Sequence, residues 1–331
     1  MVLYDRFGRA ILNLRIAITD RCNLNCIYCH HEGEYITSQC SKENSNVELT
    51  VDEIERVIRI AAELGIKKVK ITGGEPLIRK DVVDIVDRIS SIPGIIEVSM
   101  VTNGLLLERY ALKLKKAGLK RINISLPSPI PEKYKEITGY PLLDGPERVI
   151  RCIKEAIKSK LYPVKINMVI LKGLNDVDIE AEMKIVKELG AILQLIELQD
   201  PSAKSDFFQK YHHPLIDVES ELSKRAKKII IRELHHRKKF FLENGLEVEV
   251  VRPMHNSEFC KYCTRLRITS KGEFKPCLLR NDNHVPFLDA LRKNVSDDTL
   301  KKLMIDAIMR REPYFKDNSL VIKNEYKDGG Y

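Results

Sequence analysis

The sequence predicts an α/β fold: a partial β/α barrel of six units, TIM-like but left open on one side, followed by a smaller C-terminal α+β domain. Three observations predict it. Short apolar runs alternate with amphipathic segments from Leu14 to about Gln199, a cysteine-rich loop directly follows the first of those runs, and the texture of the chain changes after Asp200. Strand and helix in alternation are the mark of parallel β/α units, and right-handed crossovers curl such units into a barrel. A doubly wound open sheet is the alternative.

The strands are expected near 14–19, 68–72, 97–102, 121–126, 164–170 and 192–198. Between the first two, Thr50 and Glu53 have the spacing of a capping box, and Ile54, Val57, Ile58 and Ala61 share one face of the helix it opens, which ends at Gly65. These units form the first domain, residues 1–200. The second, 201–331, starts with a polar stretch containing His212 and His213, then offers strand-like runs at 229–234, 240–242 and 246–251. The last two flank Glu243-Asn244-Gly245, a hairpin signal. The basic run from Lys224 to Lys239 alternates with apolar residues and reads as a solvated face.

With 331 residues and 44% hydrophobic content the chain buries a sizeable core, which excludes an intrinsically disordered protein. No apolar run is long enough for a bilayer and no signal peptide is apparent, so a cytoplasmic protein is expected. Eight cysteines in a reducing compartment argue for metal or redox chemistry, since six fall in two tight clusters; Cys40 and Cys152 stand apart as structural residues. The net charge of +9 suits an anionic partner.

Cys22, Cys26 and Cys29 bring three thiolates together from one loop at the C-terminal mouth of the expected barrel, where barrel enzymes carry their chemistry. Three thiolates leave one iron of a cubane open to a small molecule; a structural zinc completed by His30 or His31 is the other reading. Cys260, Cys263 and Cys277 form a second set of three, again with one position open or with His255 or His284 closing a zinc site. Arg265 and Arg267 lie between these cysteines, and in an extended segment they face the same way, ready to hold an anion.

The spacing of Cys22, Cys26 and Cys29, with Tyr28 before the third cysteine and Gly73-Gly74-Glu75-Pro76 after the second strand, resembles the radical S-adenosylmethionine superfamily. Together with Arg15, Asn103-Gly104, Arg121 to Ser125, Lys165 to Asn167 and the second cysteine set, it resembles the GTP 3′,8-cyclase family of molybdenum cofactor biosynthesis over nearly the whole chain. That resemblance implies two 4Fe-4S clusters, the first held by Cys22, Cys26 and Cys29 and the second by Cys260, Cys263 and Cys277. It implies S-adenosyl-L-methionine contacts at Tyr28, Gly74, Ser125 and Gln199, and GTP contacts at Arg15, Lys70, Lys165, Arg265 and Arg267. The implied reaction takes hydrogen from ribose C3′ and joins that carbon to C8 of guanine.

Implied partners are GTP, an electron donor and a downstream cyclic pyranopterin monophosphate synthase, with a homodimer allowed and neither membrane nor nucleic acid engaged. The Gly329-Gly330 pair before Tyr331 is expected to reach the active site. Lys70, Val101, Pro127, Gln194 and Gln199 depart from residues common in the family, and Gln194 gives up a charge. Two other classes stay in view: a different radical enzyme with an auxiliary cluster, and a zinc-stabilised nucleic-acid-binding protein. The second would not explain a Gly-Gly-Glu turn at a strand end.

Overall fold

A computed structural model describes residues 2–33, 48–200 and 205–316; Cys40 and the Gly329 to Tyr331 tail lie outside the described residues. The six expected strands form as β1 (Asn13–Ala17), β2 (Lys68–Thr72), β3 (Glu97–Thr102), β4 (Arg121–Ser125), β5 (Val164–Ile170) and β6 (Ile192–Glu197). They pair in parallel, in chain order. The capping box forms between β1 and β2: the Thr50 hydroxyl accepts from Glu53 N at 3.2 Å and the Glu53 carboxylate accepts from Thr50 N at 2.8 Å. The helix it opens, Val51–Glu63, buries Ile54, Val57, Ile58 and Ala61. Gly65 leaves it at φ 94°, a conformation that suits glycine.

The C-terminal segment extends the same sheet at both ends. Its strands are β7 (Ala226–Ile231), β8 (Lys238–Leu242), β9 (Glu247–Val251), β10 (Arg265–Ile268), β11 (Glu273–Lys275) and β12 (Val285–Pro286). Strand β9 lies parallel to β6, and β10 lies parallel to β1. Among the described residues one sheet therefore runs β12-β11-β10-β1-β2-β3-β4-β5-β6-β9-β8-β7, parallel in its middle and antiparallel at its flanks. The expected hairpin at Glu243 to Gly245 joins β8 to β9, whereas the strand expected at 229–234 begins at Ala226 and ends before Arg232.

Period-two alternation divides each strand between two environments. Leu14, Ile16, Val69, Ile71, Val98, Met100, Ile122, Ile124, Ile166 and Leu193 are buried in the apolar core. The alternate residues, among them Arg15, Lys70, Ser99, Asn123, Asn167 and Gln194, line an interior cavity. Cys152 is buried on the helix Gly145–Lys158. No helix among the described residues is long and apolar enough to cross a membrane.

Candidate active site

The first three cysteines follow β1 in a loop tied down by its neighbours. Asn25 N donates to Thr138 O and Ile27 N to Ile137 O, each at 2.9 Å, and Cys29 N donates to Cys26 O at 3.0 Å. The Gly-Gly-Glu turn after β2 braces the same loop from below: Gly74 N donates to Thr19 O and Glu75 N to Arg21 O, both at 2.8 Å. A Cβ on Gly74 would stand 2.0 Å from Arg21 O, so glycine is needed there for backbone packing. Glu75 is buried and accepts from Thr102 Oγ1 at 2.6 Å, Asn103 N at 2.7 Å and Leu77 N at 3.0 Å, which anchors the turn to the end of β3.

The three thiols stand close enough to oppose one another's ionisation. Burial, then Cys29 and Cys22, push the Cys26 thiol up to about 12, while the Tyr28 hydroxyl pulls the other way. Cys29 is raised to about 11, by burial first and by Cys22 among its neighbours. Thiolates crowded in this way need a cationic centre, and a cluster of iron supplies one. Among the described residues no three Cys, His, Asp or Glu side chains group tightly enough for a single metal ion, so the fit rests on the thiols' mutual influence.

The second set differs in one member: burial would raise the Cys263 thiol, but Arg311, Arg9 and Arg265 pull it below the usual thiol range. Cys260 sits in the short helix Ser257–Lys261, Cys263 precedes β10 and Cys277 follows β11. Burial, then Cys277 and Cys263, raise the Cys260 thiol to about 11. Of the histidines that could close a zinc site here, His284 is held by Glu273 Oε2 at 2.9 Å and Lys275 Nζ at 2.9 Å, and His255 packs its ring on Phe315.

Between the two sets runs a cation-rich wall. In register, Arg267 stands beside Arg15, and Arg15 beside Lys70. Glu32 bridges this row: it pairs with Arg15, accepts from Arg267 Nη1 at 2.8 Å and from Thr72 Oγ1 at 2.9 Å. Burial alone would raise its carboxyl, but Arg15 and Arg267 hold it down at about 2. Lys70 Nζ donates to Asn123 Oδ1 at 3.2 Å, and burial with four neighbouring cations drives its ammonium well below the usual lysine range. Among the described residues the half-buried Arg265 guanidinium has no carboxylate or carbonyl partner, and desolvation with Arg267 and Arg15 beside it pulls it down. Such an array is short of negative charge.

On the other side, Glu249 is fully buried and pairs with Lys165, with Arg232 Nη1 at 2.7 Å and with Gln194 Nε2 at 2.9 Å. Burial would raise its carboxyl too, yet Lys165, Arg237 and Arg232 hold it at about 2. Lys165 thus borders the cavity with its ammonium already engaged, and Gln194 donates to the same carboxylate.

The cavity brings together Arg15, Lys70, Lys165, Arg265 and Arg267 with Tyr28, Cys29, Ser125, Gln199, Cys260, Cys263 and Cys277. Cys22, Cys26 and Gly74 are not on its wall. Sequence reasoning missed Glu32, whose left-handed φ of 54° has no residue-type signal, and Glu249, whose alternation with Val248 and Val250 looks like that of an exposed strand face. It also read Arg232 and Arg237 as part of a solvated run; Lys227 and Lys228 are exposed, but the two arginines turn onto the cavity.

Residues 16–186 match the Radical SAM superfamily, and residues 191–317 match Molybdenum Cofactor Synthesis C. A relative from Thermococcus kodakarensis named "Probable GTP 3′,8-cyclase" is 49% identical over 320 residues, 95% of this chain and 100% of that one. One of the same name from Methanosarcina acetivorans is 46% identical over 98% of this chain and 93% of its own. Among solved structures, Streptococcus suis SuiB bound to S-adenosylmethionine superposes with a TM-score of 0.63 at 17% identity, over 95% of this chain and 79% of that one. Native anSMEcpe with bound AdoMet gives 0.58 at 18% identity, over 94% and 92%. These structures share the fold, and the full-length relatives carry the assignment: the chain belongs to the radical S-adenosylmethionine superfamily, in the branch that ends in a molybdenum cofactor synthesis domain.

Proposed function

We propose that the chain is a GTP 3′,8-cyclase, converting GTP to 3′,8-cyclo-7,8-dihydro-GTP in the first step of molybdenum cofactor biosynthesis. The observation that carries this reading is a single cavity whose wall includes Cys29 of the first thiol set, all of the second, and the cations Arg15, Lys70, Arg265 and Arg267. Cys22, Cys26 and Cys29 would hold a 4Fe-4S cluster with S-adenosylmethionine bordered by Tyr28, Gly74, Ser125 and Gln199. Cys260, Cys263 and Cys277 would hold a second cluster with one iron free of protein thiolate. Bound there, cofactor and clusters supply the hydrogen-abstracting and electron-transfer chemistry.

The protein's own part is to hold GTP so that ribose C3′ and guanine C8 stay in reach of each other and of the cofactor. Arg265 and Lys70 are the strongest anion contacts, because among the described residues neither has a carboxylate partner. Arg15 and Arg267 share Glu32, and Lys165 is shared with Glu249, so these three bind an anion at a reduced net charge. The buried walls keep water from a carbon radical. An external donor supplies the electrons, and a cyclic pyranopterin monophosphate synthase consumes the product.

Anaerobic turnover with 3′-deuterated GTP tests the reading. The expected result is cyclised product with deuterium carried into 5′-deoxyadenosine. 5′-Deoxyadenosine without deuterium, and GTP unconsumed, would assign the chain to another substrate.

A further inference from the structure

Asp5, Arg9 and Arg311 form an ionic cluster beside the second cysteine set, with both arginines on the cavity wall. All three side chains are buried. Asp5 Oδ2 accepts from Arg9 Nε at 2.7 Å and from Arg311 Nη1 at 2.7 Å, and Asp5 Oδ1 accepts from the backbone N of Phe7 and of Arg9, each at 3.0 Å. The outer ends of both guanidinium groups then reach the cysteine loop: Arg9 Nη1 donates to Cys260 O at 3.0 Å, and Arg311 Nη2 donates to Cys263 O at 2.6 Å. The N-terminal segment, 251 residues before Cys260, and the C-terminal Arg311 are thereby locked to the two cysteines that precede β10.

A buried carboxylate shared by two arginines is costly to assemble and gives little net stability compared with apolar packing. The cluster carries one net positive charge, placed against carbonyls of the residues whose thiolates would carry the negative charge of a bound cluster. Hydrogen bonds and fixed charges in the outer shell of a metal site orient its ligands and tune its potential.

We propose that Arg9 and Arg311 are positioning residues that preset the Cys260 and Cys263 loop, and that their net charge makes the group bound there easier to reduce. The N-terminal segment is then a working part of the C-terminal site. This rests on the reading of a second iron-sulfur cluster given above. Each electron added to that cluster raises its negative charge, so a nearby cation favours the reduced state and a nearby carboxylate opposes it.

The test is a signed pair of substitutions, read by iron content and by potentiometric titration of the anaerobically reconstituted full-length protein. Arg311→Gln should shift the second cluster to a more negative potential, Asp5→Asn should shift it to a more positive one, and Arg311→Lys should stay near the parent. The first cluster should keep its potential in all three. A merely structural clamp would lose iron without opposite shifts, and shifts of the same sign or none would overturn the proposal. If Arg311→Gln also loses the first cluster, the chain has unfolded, and Arg9→Gln replaces it in the pair. A parent protein that binds only one cluster would defeat the underlying reading instead.

Discussion

At the scale of single residues, charge balance separates ligands from scaffolding. Arg265 and Arg267 occupy alternate positions of β10 and face the same cavity, but among the described residues only Arg267 has a carboxylate, Glu32, beside it. Replacing both by alanine removes charge-assisted hydrogen bonds worth about 1.5–3 kcal/mol each, so GTP affinity should fall at least about tenfold while S-adenosylmethionine affinity stays near the parent. Anaerobic titration with each ligand reads the difference, and unchanged GTP affinity would reject the anion-site assignment. Glu182 makes a contrasting case away from the site. Both its carboxylate oxygens are buried without a hydrogen-bond partner, and burial, then Asp178, push its carboxyl up to about 8. Its folded-state value lies above its unfolded value near 4.5, so the folded chain binds the extra proton and stability drains away as pH rises from about 4.5 to about 8. Glu182→Met should therefore stabilise the protein by roughly 1–3 kcal/mol at pH 8 and by much less at pH 5. Denaturant unfolding at the two pH values measures it, and equal effects at both would place the cost elsewhere.

At the scale of elements, what the sequence made legible was local. The Thr50 and Glu53 box, the β/α alternation and the Glu243 to Gly245 hairpin are written in adjacent residues and in periods of 3.6 and 2, and each forms within a few residues of its expected place. The pairing of β9 with β6 and of β10 with β1 joins segments far apart in the chain, and parallel pairing leaves no turn signal to read. The site divides the same way. The cysteines and the Arg265 and Arg267 pair are recognisable by spacing, whereas Glu32 and Glu249 acquire their roles only when the strands bring cations around them. Gly74 belongs to this scale, because its requirement comes from the loop it packs on. A methyl group there would collide with Arg21 O and with Asp20 O, at 2.0 and 2.7 Å. Gly74→Ala should cost about 1–3 kcal/mol by overpacking and displace the loop that carries Cys22. Thermal unfolding of the cluster-free protein gives the first effect, and iron analysis after reconstitution should show the first cluster depleted with the second retained. Parent-like iron and melting temperature would mean the loop relaxes freely.

For the whole molecule, the continuous sheet ties the two halves of the chemistry into one folding problem. Residues 1–200 contain β1 to β6, and the outer two of these strands are each completed by a strand from beyond residue 200. Val248 and Val250 of β9, with Leu266 and Ile268 of β10, are buried in the same apolar core as Leu14, Val69 and Leu193. Cut at residue 200, the chain would expose unpaired backbone along β1 and β6, and open edges of that kind invite association. It would also leave Lys165 without Glu249, so the buried cation of β5 would lose its counter-ion. The fragment 1–200 expressed alone should therefore aggregate or bind a hydrophobic dye, and it should lack a cooperative thermal transition, even with Cys22, Cys26 and Cys29 intact. Size-exclusion chromatography and calorimetry decide the matter. A monomeric fragment that unfolds cooperatively and loads the first cluster would show that the barrel half is a domain in its own right, with the C-terminal strands added to a finished fold.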